Sequence, residues 1–424
     1  MSNDILAMTA TQLRAHFVDR QLSPVEVANC LLDQIERVDG QTNGFCLVDR
    51  ETSVALARAA EQRYVDGCPS GLLDGVPVAV KDVFLTPMWP TLKGSHTVDP
   101  QSTLGKTGAC TAALARHNYV PIGKTTTPEL GWKGVTDNPV DGVTNNPWNP
   151  DKTAGGSSGG SGVAVALGMA PLALGTDAGG SIRIPASFCG IVGLKPSFGE
   201  VPHWPSSPFG TLAHAGPMTW TVEDCALMMN VLAEPDYRDT HAVPRRNIDY
   251  LAELRSGVKG LKIAYSPNLG YVDVDPEVEA AVAEAARVLA ELGAEVVRVD
   301  PGFSDPLAAF GHLFYGGGQC HSRPGAEETG GDGSGTGQGI GKGRAPEHAG
   351  LHGGGERVDG AARAHGDLPS EVRPVAHPDP ATDRLQDRAR GAGGLAKHPL
   401  ADLDPLYLSV QHDRPAGHLC ALRL

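Results

Sequence analysis

The 424-residue chain has no C-x-x-C pair among its eight cysteines and no Cys/His cluster at metal-ligand spacing. That leaves no zinc site or redox pair legible in the sequence, and it suits thiols kept reduced in the cytoplasm. The opening residues, MSNDILAMTATQL, carry neither a basic n-region nor a long apolar stretch, so no secretory signal is read there. No apolar run is long enough to cross a bilayer. Basic charge is in short supply: Lys and Arg number 35 against 49 Asp and Glu, a formal net charge of −14. That balance disfavours nucleic acid and anionic membranes as partners and favours a soluble protein with a small-molecule ligand. Phosphate-cradling motifs are missing as well. The GKT at 123–125 has Asn118 where a P-loop needs its first glycine, and no G-x-G-x-x-G follows an obvious strand.

What is present reads as alternating strands and helices. Hydrophobic residues make up 41% of the chain, enough for a large core. LSPVEVANCLLDQIERV predicts a helix with Ser23 as N-cap, Pro24 at the first helical position and Glu26 closing a capping box. Val27, Leu31, Ile35 and Val38 form its apolar face. DGVPVAVKDVFL, YVPIGKTT, PLALGTD and GIVGLKPS read as strands, with ACTAALARHN and GVAVALGMA as helices between them. Thr221 and Asp224 occupy capping-box positions ahead of CALMMNVL. GLKIAYS, DPEVEAAVAEAARVLAELG and AEVVRVD then give strand, helix, strand. Apolar strands alternating with helices predict an α/β fold whose mixed sheet is covered by helices on both faces.

Two glycine–serine clusters stand out, GGSSGG at 155–160 and GTDAGGSIRIPAS at 175–187. A Gly-Ser run alone reads as a flexible linker. This one is short and runs straight into an apolar helix, and glycines beside serine also let backbone approach a reacting group. In the second cluster Ser181 follows Ala178, Gly179 and Gly180, whose amides could converge on a developing oxyanion. A serine nucleophile needs a base. Neither cluster contains a histidine, and His203 and His214 lie in downstream stretches where a polar surface role is the plainer reading. Lys81 ends the apolar strand GVPVAVK, where burial would favour the neutral amine; a salt bridge to Asp82 is the competing role.

GVPVAVKD, GGSSGGSG and GTDAGGSIRIPASFCGIVGLKP together resemble the amidase signature family. The resemblance covers most of residues 10–315 and is most specific over 150–196. It implies amide hydrolysis by a Ser–Ser–Lys triad without metal or other cofactor: Ser181 as acyl-forming nucleophile, Ser157 as bridging serine after a cis peptide bond from Gly156, and Lys81 as base. Ser158 and Ser161 are the neighbours most easily mistaken for the bridge. The resemblance also implies an oxyanion hole from the amides of Ala178, Gly179, Gly180 and Ser181, with Asp177 and Arg183 paired to hold that loop. Trp132 is a candidate wall of the substrate pocket, set against an ordinary packed or surface aromatic. A small carboxamide is the implied ligand, and a homodimer is compatible with this reading. The glutaminase-type subunit of a tRNA-dependent amidotransferase is the alternative within the family, and an inactive remnant is the alternative outside catalysis.

The order stops near Tyr315. Residues 316–406 contain no Phe, Tyr or Trp, residues 316–360 contain 17 glycines, and eight of the chain's 15 histidines follow residue 316. No helical or strand period is legible there, and composition predicts an irregular or disordered tail. Residues 1–315 therefore read as an incomplete amidase-signature domain and 316–424 as an aberrant low-complexity tail. The surge of Gly, His, Arg and Pro is the pattern of GC-rich DNA translated out of frame from about residue 317.

Overall fold

The computed structural model describes residues 2–318, apart from 245 and 303, together with 372–374. The tail expectation for 319–371 and 375–424 lies outside the described residues.

The first long helix spans Pro24–Thr42, with Ser23 as N-cap and Pro24 at its start. Val27, Leu31, Ile35 and Val38 are buried on one face, as the spacing predicts. The cap is completed differently. Ser23 Oγ accepts from the amides of Val25 and Glu26, and its hydroxyl donates to Glu61 on the next helix, Arg50–Val65. Thr221 does cap Val222–Leu232, accepting from the Asp224 amide. Asp224 itself reaches elsewhere: its carboxylate accepts from the amides of Ala10 and Thr11, both at 2.9 Å, and so anchors the start of helix Ala10–Val18.

The main sheet has six strands: β1 Phe45–Leu47, β2 Pro77–Lys81, β3 Val120–Thr125, β6 Leu172–Asp177, β7 Val192–Gly193 and β8 His214–Thr219. A small hairpin, β4 Asp137–Asn138 with β5 Gly142–Val143, stands apart. The strand order is β1-β3-β2-β6-β8-β7. β2 lies parallel to both β3 and β6, while β1, β8 and β7 join antiparallel, so the sheet is mixed. Every residue of β2 and β3 is buried. Successive residues of a strand face opposite sides, so both faces are covered at the centre of the sheet. GIVGLKPS contributes only the two-residue β7.

A second sheet forms as the sequence pattern predicts. β9 Lys262–Tyr265, helix Pro276–Glu291 and β10 Glu295–Arg298 make a parallel strand–helix–strand unit. β11 Val372–Pro374 pairs with the other edge of β9. Leu307–Gly318 is the last of the described helices. Among the described residues no helix is long and apolar enough to cross a membrane.

Candidate active site

Lys81 is the last residue of β2 and is 0% exposed. Its amine donates to Ser157 Oγ at 2.6 Å and to Thr176 Oγ1 at 2.7 Å. Burial holds its pKa well below the ordinary lysine value, opposed by the Asp177 carboxylate. The salt bridge to Asp82 is not made. Asp82 pairs with a second buried lysine, Lys124, at 3.1 Å. Lys81 is thus a buried amine whose hydrogen-bond partners are hydroxyls.

The Gly-Ser run is packed, not a tether: residues 154–170 are all buried. A Cβ on Gly156 would stand 2.6 Å from the Val135 backbone, and one on Gly160 would stand 2.3 Å from the Gly44 carbonyl oxygen. Only glycine fits such approaches. The Gly156–Ser157 peptide is cis. Beyond it begins helix Gly159–Ala166. Ser158 Oγ bonds the backbone of Thr176, and Ser161 Oγ bonds Thr125 Oγ1 at 2.7 Å and the Leu174 carbonyl at 3.2 Å. Both fasten this segment to the sheet, which leaves Ser157 as the serine on Lys81.

Ser181 lies on the loop leaving β6. Its carbonyl accepts from the Ser158 amide at 3.1 Å, which joins the two glycine–serine clusters directly. Its half-buried hydroxyl has no hydrogen-bond partner among the described residues. Asp177 and Arg183 pair as expected, with Arg183 Nε 2.9 Å from Asp177 Oδ2. Asp177 also accepts from the amides of Gly180 at 2.7 Å and Ile182 at 3.2 Å. Burial alone would raise its pKa, but Arg183 and these amides outweigh it and hold the carboxyl low. The Gly180 amide, one of the four expected to receive the oxyanion, is committed to Asp177.

The histidines stand aside. His214 Nδ1 sits on the Leu212 carbonyl at 2.7 Å, and burial pushes His203 down to about 4. Trp132 is 51% exposed and caps the short turn Glu129–Gly131. Its neighbour Gly131 is the residue that approaches Ser157: a Cβ there would lie 3.7 Å from Ser157 Oγ. Three further residues of the site are not legible in the sequence. Thr176 lies inside a quoted motif, but nothing local shows that it meets Lys81. Phe310 and Phe314 lie far along the chain, yet a Cβ at Gly179 would stand 2.9 Å from Phe310 Cζ. Phe314 stacks on Phe310 at 5.2 Å and on Phe209 at 4.7 Å between centroids, making an aromatic shelf over the 178–181 loop.

The sequence model of the Amidase family matches residues 26–327. The chain belongs to the amidase family. Within it, an acylamidase of Rhodococcus erythropolis is 38% identical over 300 residues, covering 70% of this chain and 63% of that protein. A glutamyl-tRNA(Gln) amidotransferase subunit of Chromohalobacter salexigens is 41% identical over 298 residues, covering 69% and 60%. Among solved structures, a bacterial aryl acylamidase of the amidase signature enzymes superposes with a TM-score of 0.69 at 29% identity, over 95% of this chain and 74% of that one. The corresponding glutamyl-tRNA(Gln) amidotransferase subunit of Thermotoga maritima gives 0.61 at 28%, over 76% and 68%. The chain spans less than two thirds of the length of the curated relatives it matches.

Proposed function

We propose that the protein hydrolyses a small carboxamide to a carboxylic acid and ammonia or an amine through an acyl-enzyme on Ser181. The observation that carries this reading is the buried Lys81–Ser157 contact of 2.6 Å, tied to the Ser181 loop by the Ser158–Ser181 backbone bond. With Lys81 neutral, Ser157 donates its proton to the amine lone pair while taking the proton of Ser181. Ser181 Oγ bonds to the carbonyl carbon, and the amides of Ala178, Gly179 and Ser181 receive the oxyanion. Collapse breaks the C–N bond, and the leaving nitrogen takes the proton back from Lys81 through Ser157. Water repeats the sequence on the ester and releases the acid. Protons balance within the relay, so no cofactor enters.

The aromatic shelf over Gly179 supports an apolar or aryl substituent on the substrate. The second reading, the glutaminase-type subunit of an amidotransferase, is supported by the 41% identity to a protein of that kind. Recovery of a stable heteromer would favour it, and a free-standing cytoplasmic enzyme, monomeric or homodimeric, would favour the simple amidase. An inactive remnant is the third outcome. A fluorophosphonate decides whether the nucleophile is live. Mass spectrometry should place the adduct on Ser181 and find none in Ser181→Ala; an unlabelled wild-type protein overturns the reading.

The same proposal takes residues 1–315 as an incomplete domain and the chain from about residue 317 as translated in a shifted frame. It is supported by the change in composition at 316. Genomic sequence around codons 312–320 should contain a one-base insertion or deletion. Repairing it should give a longer protein with higher amidase activity, and an intact frame there ends the idea.

A further inference from the structure

The face of the sheet opposite Lys81 carries a second buried lysine. In the parallel β2–β3 pair Lys81 stands beside Thr125 and Val80 beside Lys124. Lys124 therefore projects from the other face, and Asp82, the first residue after β2, meets it there. Lys124 is 0% exposed and donates to the Phe84 carbonyl at 2.8 Å and to Thr91 Oγ1 at 2.7 Å, besides its contact with Asp82. Asp82 Oδ2 accepts from the amides of Leu92 at 3.1 Å and Lys93 at 2.8 Å. The pair fastens the segment from Phe84 to Lys93 at both ends.

That segment leads back to the site. Lys93 is left-handed, with φ 56°, and its carbonyl accepts from the Leu130 amide at 2.8 Å. Leu130 is left-handed too, with φ 54°, and Gly131 follows at φ 74°. Gly131 borders Ser157 Oγ, Val83 and Thr127 Oγ1. Among the described residues Thr127 Oγ1 is the one buried side-chain oxygen or nitrogen with no hydrogen-bond partner. Left-handed non-glycine residues persist where their surroundings over-determine them, and they cluster at ligand clamps. An orphaned buried hydroxyl is equally an exception.

We propose that the Lys124–Asp82 ion pair positions the substrate: it fixes Lys93, whose carbonyl holds Leu130 in its left-handed turn, and so sets Gly131 as the wall of the cleft beside Ser157. This rests on the amide-hydrolase reading. Lys124, Asp82, Lys93 and Leu130 are positioning residues, since they act through the 127–132 loop and touch no reacting atom.

Two variants address the two ends of the device. Asp82→Asn keeps the shape and removes the charge. Leu130→Pro removes the amide that Lys93 holds and fixes φ near −65°, on a half-exposed loop where the core is undisturbed. In both, amides of 127–132 should exchange with deuterium about tenfold faster or more, while those of β2 and β3 stay protected. KM for simple amides should rise about tenfold with kcat nearly unchanged, because small displacements of positioning groups weaken substrate placement. Leu130→Gly takes the same backbone conformation freely, so adding it to Asp82→Asn should recover most of the KM. Unchanged exchange at 127–132 overturns the positioning role. Faster exchange with an unchanged KM overturns the link to substrate. Fluorophosphonate labelling of wild-type Ser181 is read separately, so a dead nucleophile is distinguished from a misassigned loop, and the exchange result stands in either case.

Discussion

Ser181→Ala should lower amide turnover by on the order of 10^4-fold or more, the scale seen when a catalytic unit loses its nucleophile. Among the described residues, the Ser158 and Ser161 hydroxyls are tied to the backbone of β6, and Ser157 is held on Lys81. No other serine between 155 and 181 is free to form the acyl-enzyme. The half-buried Ser181 side chain fills no core position, so the variant should melt within a few degrees of wild type. Combining it with Ser157→Ala should add little, since residues acting as one unit are not additive. Turnover of aliphatic and aryl amides by the purified variants measures this, and retention of more than about a hundredth of wild-type kcat would sink the assignment.

Lys81→Met should be nearly as severe, at about 10^2–10^4-fold, the usual worth of a positioned general base. Methionine keeps much of the buried volume and needs no ionic partner, so the loss can be read as chemistry rather than as unfolding. The pH profile carries the sign. In the proposed mechanism the neutral amine is the working form, so kcat/KM should rise with pH as Lys81 deprotonates. Burial places that transition below the ordinary lysine value of 10.5, with Asp177 pulling it back upward. The rise should therefore level off below pH 10.5 in wild type and be absent from the residual activity of Lys81→Met. His203, held at about 4, is already neutral over that range and adds no limb of its own. A pH profile whose shape is the same in wild type and in Lys81→Met would remove Lys81 from the mechanism.

The residues that were legible in the sequence share a property: their roles are written in neighbouring letters. Pro24 after Ser23 marks a helix start because both fit the first turn, whatever the helix packs on. The glycines of 155–160 had two readings, and the resemblance of their neighbours separated them. Lys81 stood at the end of an apolar run, which is a statement about burial. What stayed hidden depends on partners distant in sequence. The Glu61 carboxylate, rather than that of Glu26, meets the Ser23 hydroxyl because two helices pack together. Asp224 looks like half of a local cap, yet its carboxylate serves a helix more than 200 residues earlier. Thr176 and Lys124 acquire their roles from strand register, and Phe310 from the docking of a late helix on the 178–181 loop. The 178–181 loop shows the limit at atomic scale, because only geometry reveals that the Gly180 amide is taken by Asp177.

The pairing of β2 with β3 makes the site depend on parity. Lys81 closes the strand and Asp82 opens the turn after it, adjacent letters with opposite duties, an amine toward Ser157 and a carboxylate toward Lys124. A slip by one residue would exchange every side chain between faces. It would present a carboxylate to Ser157 and leave Lys124 without its counter-charge. Deleting a single codon between Pro77 and Lys81 should therefore be more damaging than an apolar substitution at Val78 or Val80, because it would alter which side of the sheet each charge occupies.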